Sequence, residues 1–283
     1  MLIRKVTIFK RALVTVWVIF LAQAVAPPVW GSTVAYSGSI QYARGNYIFD
    51  QTTSSMFMFN GLSFSSEGLN LSVSIPVIFQ STPYVSYSGV GIIPSGGSEH
   101  TQVSGRKGKN QEVILPEPVD YEQYGIGDPM VSLGVRLLKE SKLFPTVQLV
   151  VQAKLPLASI EKGFGTGEWD YSGGLSLSKV LGKTFLFVDM YYWMLGDLPD
   201  LELKDTVSYS IALGQPLSGG KYALFVSYSG STNIISEVAP PSFLGFGFSY
   251  RIDAKKSLML NASLGLTESV PDFSVSLGWN IGF

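Results

Sequence analysis

The second half of the chain alternates apolar and small polar side chains with a period of two. Phe273, Val275, Leu277, Trp279, Ile281 and Phe283 alternate with Ser274, Ser276, Gly278, Asn280 and Gly282. Leu258, Leu260, Ala262, Leu264 and Leu266 alternate with Met259, Asn261, Ser263, Gly265 and Thr267. The same holds for Leu244, Phe246, Phe248 and Tyr250, and for Val207, Tyr209, Ile211 and Leu213. Such a period places the two sets on opposite faces of a strand. Read along the whole chain it predicts twelve strands, at 35–48, 56–65, 69–79, 126–138, 145–155, 169–181, 184–195, 204–216, 221–230, 243–253, 257–267 and 272–283. Pro83–Ile93 alternates too, but another strand there breaks the even count, so it is assigned to a loop spanning 80–125.

A soluble sandwich also alternates. Three features favour an all-β, transmembrane antiparallel barrel of the Gram-negative outer-membrane type, with twelve strands within a range of 10–14. The strands have the length a tilted crossing needs. Their polar faces carry Ser, Gly, Asn and Gln with little charge, and their apolar faces end in Tyr209, Tyr222, Tyr228, Tyr250, Trp279 and Phe283, as interfacial aromatic girdles do. Connections alternate in length. Ser66–Gly68, Lys139–Phe144, Gly182–Lys183, Leu217–Gly220 and Ala254–Lys256 are short, which is the periplasmic habit, while 80–125, 156–168, 196–203 and 231–242 are long. The C-terminal Phe283 has the form that barrel-assembly machinery reads.

Composition sharpens this picture. Charged residues are only 14% against 46% hydrophobic, too few for a disordered chain and too few for an ordinary soluble surface. Arg4, Lys5, Lys10 and Arg11 precede an apolar run from Ala12 to Ala26, the arrangement of a cleaved secretory signal, expected to be residues 1–31. A single barrel domain, 32–283, remains. Removing the leader changes the formal net charge from -1 to -5, with 16 basic residues against 21 acidic ones, which gives no basis for nucleic-acid binding.

If the apolar faces meet lipid, parity turns Asp128, Arg136, Lys154, Asp170 and Arg251 inward with Asn70, Ser72, Gln148 and Gln152. The strand 184–195 is ambiguous. An inward Asp189 carries Phe185, Phe187, Tyr191 and Trp193 with it, making an aromatic stripe in the lumen. Two readings of these lumen-lining candidates stay open: a path that guides an amphipathic or aromatic solute, or a packed interior in which the charges pair with one another.

Enzyme chemistry finds little material. The single His100 lies in the long loop, away from any strand-borne Ser, and there is no Cys for a zinc site. No phosphate loop is present, and no cofactor, metal site or catalytic residue is expected. Arg106, Lys107 and Lys109 form a basic cluster in the same loop.

The segments GIGDPMVSLGVRLL (125–138), FPTVQLVVQAKLPLAS (144–159), GFGTGEWDYSGGLSLSKVLGKTFLFVDMYYWMLGD (163–197) and SVSLGWNIGF (274–283) resemble the outer-membrane transporter family of the MetA-pathway of phenol degradation. The resemblance rests on Gly125, Gly127, Asp128, Lys154, Pro156, Gly163, Gly165, Gly167 and Asp170. It implies uptake of aromatic or other hydrophobic compounds and no enzymatic step.

The expected function is therefore a passive transporter or narrow channel for small, hydrophobic or aromatic solutes in the outer membrane. The competing expectation is a non-transporting structural, adhesive or partner-binding barrel with a plugged lumen. Expected partners are membrane lipid, the assembly machinery and a small solute. Monomer is the default, because a closed barrel leaves no strand edge to pair.

Overall fold

The computed structural model describes residues 32–96, 123–160 and 162–283. The expected leader 1–31 lies outside these residues, as do His100, Arg106, Lys107 and Lys109. The period-two runs form β1 (Thr33–Gly45), β2 (Thr53–Ser65), β3 (Leu69–Gln80), β4 (Val85–Ser88), β5 (Gly91–Pro94), β6 (Gln123–Ile126), β7 (Met130–Leu138), β8 (Thr146–Lys154), β9 (Asp170–Leu181), β10 (Thr184–Met194), β11 (Thr206–Leu217), β12 (Tyr222–Ser231), β13 (Ser242–Arg251), β14 (Lys256–Gly265) and β15 (Phe273–Gly282). Among the described residues no helix is long and apolar enough to cross a membrane.

Twelve strands make the wall. Consecutive strands pair antiparallel from β7 through β15, β15 pairs with β1, β1 with β2 and β2 with β3, and β3 closes the ring on β6 and β7. Closure is obligatory in lipid, where an unpaired edge leaves N–H and C=O groups without partners. Cross-strand register puts Ile40, Leu277 and Leu260 on one outward row, and Leu213 and Val226 on another. These side chains are exposed despite their hydrophobicity, which is the signature of a lipid-facing belt. At the short-turn end Tyr222 stacks on Tyr250, with ring centroids 5.3 Å apart, and Lys221 sits 5.9 Å from both rings. At the loop end Tyr209 and Tyr228 pack together on the same outer face.

Two places depart from the sequence expectations. The strand expected at 126–138 begins at Gln123 and is broken into β6 and β7. Val77 pairs with Ile126 but Ser74 pairs with Met130, so Gly127–Pro129 carries one extra residue, a β-bulge. Pro76 and Pro129 sit on either side of this gap and lack the N–H groups that an unbroken ladder needs. Without the bulge Asp128 would share the outward parity of Tyr124 and Ile126. With it, the carboxylate turns inward.

The second departure is Pro83–Ile93. It is not irregular loop but contains most of a hairpin, β4–β5, with Val85 opposite Pro94 and Ser88 opposite Gly91. The hairpin forms its own two-stranded sheet and leaves the wall count even.

Candidate functional site

Inward positions change character along the barrel. On β3 the inward series runs from exposed Asn70 through half-buried Ser72 and Ser74 to buried Pro76, Ile78 and Gln80. On β10 it runs from Phe185 through Phe187, Asp189 and Tyr191 to buried Trp193. The lumen is thus accessible from the short-turn end and filled at the loop end.

The filling is the β4–β5 hairpin together with described residues of the 156–168, 196–203 and 231–242 connections. Its two-residue turn, Gly89–Val90, reaches the wall. The Gly89 N–H donates to Asp170 Oδ2 at 2.6 Å. Glycine is required here because a Cβ would lie 2.5 Å from the Trp193 ring. The Gln80 amide donates to the Thr82 and Val85 carbonyls at 2.6 and 2.8 Å, and Thr53 and Thr82 share a 2.6 Å hydroxyl bond, so the base of the hairpin is tied to β2 and β3. Apolar contacts complete the seal. Phe57, Ile78 and Phe164 form one cluster, Tyr47, Phe49, Tyr84 and Val85 another. Ile93, Trp193, Leu203 and Ile234 form a third.

An ion cluster is built into this seal. Lys154 Nζ lies 2.8 Å from Asp128 Oδ2 and 3.4 Å from Asp170 Oδ2, and all three side chains are 0% exposed. The ammonium also donates to Thr166 Oγ1 at 2.8 Å and to the Glu168 carbonyl at 3.0 Å. Asp128 Oδ1 accepts the Leu157 and Ala158 N–H groups, and Asp170 Oδ1 accepts the Gly196 N–H. A buried charge group survives only when its remaining donors and acceptors are satisfied in this way. The Gly163–Gly167 loop comes down onto it. A Cβ on Gly165 would collide with the Asp128 carboxylate, and Gly125 leaves room for the Phe164 ring. The motif residues that span Gly125 to Asp170 in sequence therefore converge on one structural knot.

The other sequence candidates separate from this cluster. Asp189 accepts Ser176 Oγ at 2.5 Å and Tyr191 Oη at 3.2 Å on Oδ1, and Ser210 Oγ at 2.9 Å on Oδ2. Arg136 is half-buried nearer the short-turn end, opposite Gln148. Arg251 is exposed at the short-turn rim, where its guanidinium donates to the Gly219 carbonyl at 3.2 Å.

Two cavities flank the hairpin turn. One, about 220 Å³, is lined by Asp189, Tyr191, Ser208, Ser210, Ser229 and Ser231 together with Tyr209 and Gly230. The other, about 240 Å³, has Phe57, Phe59, Tyr87, Ile92 and Phe243 in its lining, with Gln41, Ser263 and Ser274 as its polar side chains. Val90, Pro241 and Phe243 border both. Sequence reasoning missed the part of Gly89, Val90 and Tyr87. The signal is the alternation of Val85 and Tyr87 before a glycine-containing turn, in a segment where another wall strand breaks the even count.

A closed antiparallel barrel with an apolar outer belt, aromatic ends and a polar, partly filled interior is an outer-membrane β-barrel. Sequence comparison agrees and is more specific. The chain belongs to the family described as "Putative MetA-pathway of phenol degradation", which matches residues 31–283. Its fold is shared with an outer membrane channel from Pseudomonas putida F1, at 13% identity, a TM-score of 0.63, and 91% of this chain against 97% of that one. Looser overlaps include the CymD monoaromatic hydrocarbon channel, at 10% identity, TM-score 0.46, and 89% of this chain against 88% of that one. The P. putida toluene transporter TodX overlaps at 11% identity, TM-score 0.38, and 91% against 89%.

Proposed function

We propose that the protein is a passive outer-membrane channel for small, hydrophobic or aromatic solutes, held shut at its loop end by the β4–β5 hairpin. The observation that carries this reading is the graded lumen. Inward side chains pass from exposed to buried along single strands and end at two cavities beside a glycine-tipped hairpin. A barrel whose interior served only as a core has no need of an accessible vestibule. The family description and the fold of a known channel support the same reading. In this scheme Asp189 and Tyr191 line the path, Arg136 and Arg251 stand toward its short-turn end, and Asp128, Lys154 and Asp170 hold the closed plug to the wall. Residues 1–31 act as a cleaved leader, 32–283 form the single barrel domain, the strand ending at Phe283 engages the assembly machinery, and the barrel works as a monomer. No catalytic step is part of it.

The second reading, a non-transporting barrel, is favoured by the dense packing around Trp193 and the buried ion cluster. Planar-bilayer conductance and liposome uptake separate the two. Deleting residues 83–95 is expected to raise both well above the intact protein, with heat-modifiable gel mobility confirming a folded barrel. An inserted, folded barrel that neither conducts nor admits solute, with or without the hairpin, supports the structural reading and ends the channel one.

A further inference from the structure

We propose that the two cavities beside Val90 form one two-part binding site, selective for a single aromatic ring bearing a cationic or hydrogen-bond-donating head group and closed to aromatic carboxylates. This inference rests on the channel reading for its physiological purpose, but not for its geometry.

The apolar part is a ring subsite. Phe57, Phe59 and Tyr87 stand with ring centroids 6.0 to 6.2 Å apart, a spacing at which aromatic rings attract one another edge-on or offset. At about 240 Å³ the space is below the ~300–1,000 Å³ of a drug-sized pocket, which suits one ring and not a fused system. The cavity that holds Asp189 decides the head group. Among the described residues, Asp189 is the one carboxylate on either cavity wall and neither wall carries Lys or Arg. An ionised carboxylate only accepts hydrogen bonds and has about four sites. Three are taken, by Ser176, Tyr191 and Ser210. By that count there is room for about one more donor. A ligand carboxylate there meets an acceptor with no cation on the described walls to offset the like-charge repulsion. An ionisable residue kept inside a membrane barrel, away from the ion cluster that holds the plug, is placed for selection more than for stability.

The test is equilibrium binding of benzylammonium, benzyl alcohol and benzoate to the full barrel in nanodiscs, by calorimetry or saturation-transfer NMR. The three share a ring and differ in the head. Benzylammonium is expected to bind at least ten-fold more tightly than benzoate, with benzyl alcohol between. Asp189→Asn should remove that preference, and Phe59→Leu should weaken all three together. Benzoate binding as tightly as benzylammonium, an unchanged ranking in Asp189→Asn, or no binding of any probe overturns the proposal. Binding with this ranking but no flux through the barrel sinks the channel reading and leaves the site intact.

Discussion

The loop-end and short-turn halves of this barrel are built from the same strands yet are different materials inside. Along β10 the inward positions pass from Phe185, 36% exposed, to Trp193, 4% exposed and packed against the hairpin. Along β9 they pass from half-buried Ser178 to fully buried Asp170. The wall does not change; the occupant does. Where β4–β5 enters, side chains lose water, so Thr53 pairs with Thr82, Ser86 pairs with Ser95, Gln80 donates to two carbonyls and two carboxylates share one ammonium. Where it does not, Ser and Asn keep their water and their cost is small. A closed barrel can therefore hold a dense plug at one end and a wet vestibule at the other without altering its strand pattern.

That contrast can be broken deliberately. The largest effect is expected from Lys154→Met, which leaves Asp128 and Asp170 facing each other without their cation. Removing one partner of a buried ion group costs about 3–5 kcal/mol, to be read from denaturant unfolding. Asp128→Asn, Lys154→Met and Asp170→Asn combined should lose less than Lys154→Met alone. If the triple variant is the less stable, the charges are doing more than neutralising one another. Next is Trp193→Ala, where an aromatic-to-alanine cavity costs about 3 kcal/mol at the lower end of such changes. Loss of protection of the hairpin amides in hydrogen exchange should accompany it, while amides of β13 and β14 stay protected. Gly89→Val is expected to change stability less and conductance more. Its side chain meets Trp193, displaces the turn and breaks the bond to Asp170, so open-channel events should become several-fold more frequent. An unchanged single-channel record would mean that the turn does not block the path. At the other end Asn70→Ala and Ser72→Ala should each shift stability by less than about 0.5 kcal/mol, because these side chains keep access to water. A loss comparable to that of Trp193→Ala would erase the distinction between the halves.

Much of the barrel was legible because a lipid-facing strand repeats a two-residue rule, and each repeat is local. Leu258–Leu266 and Phe273–Phe283 declare their outward faces without reference to any neighbour. Parity also brought Asp128, Lys154 and Asp170 to the same side, although nothing in the spacing showed that Lys154 bridges the other two. The bulge at Gly127–Pro129 was hidden for the same reason that the pattern worked. Parity is preserved on each side of it, and only the pairing with β3 reveals the added residue. The hairpin was hidden because its apolar side chains face a core and not lipid, so its alternation competed with the even count of the wall.

The sequence by itself therefore determined the all-β alternation, the outward belt, the even number of wall strands and the absence of a Cys- or His-based centre on them. Those properties follow from each residue's own polarity and its position in a period of two. Only the tertiary structure decided that the 80–96 segment returns into the lumen, that Gly89 meets Asp170 across 81 residues of chain, and that the cavities beside Asp189 and Phe57 both border Val90. These are contacts between distant segments, set by ring closure and by the need to satisfy buried charge, and no local pattern encodes them.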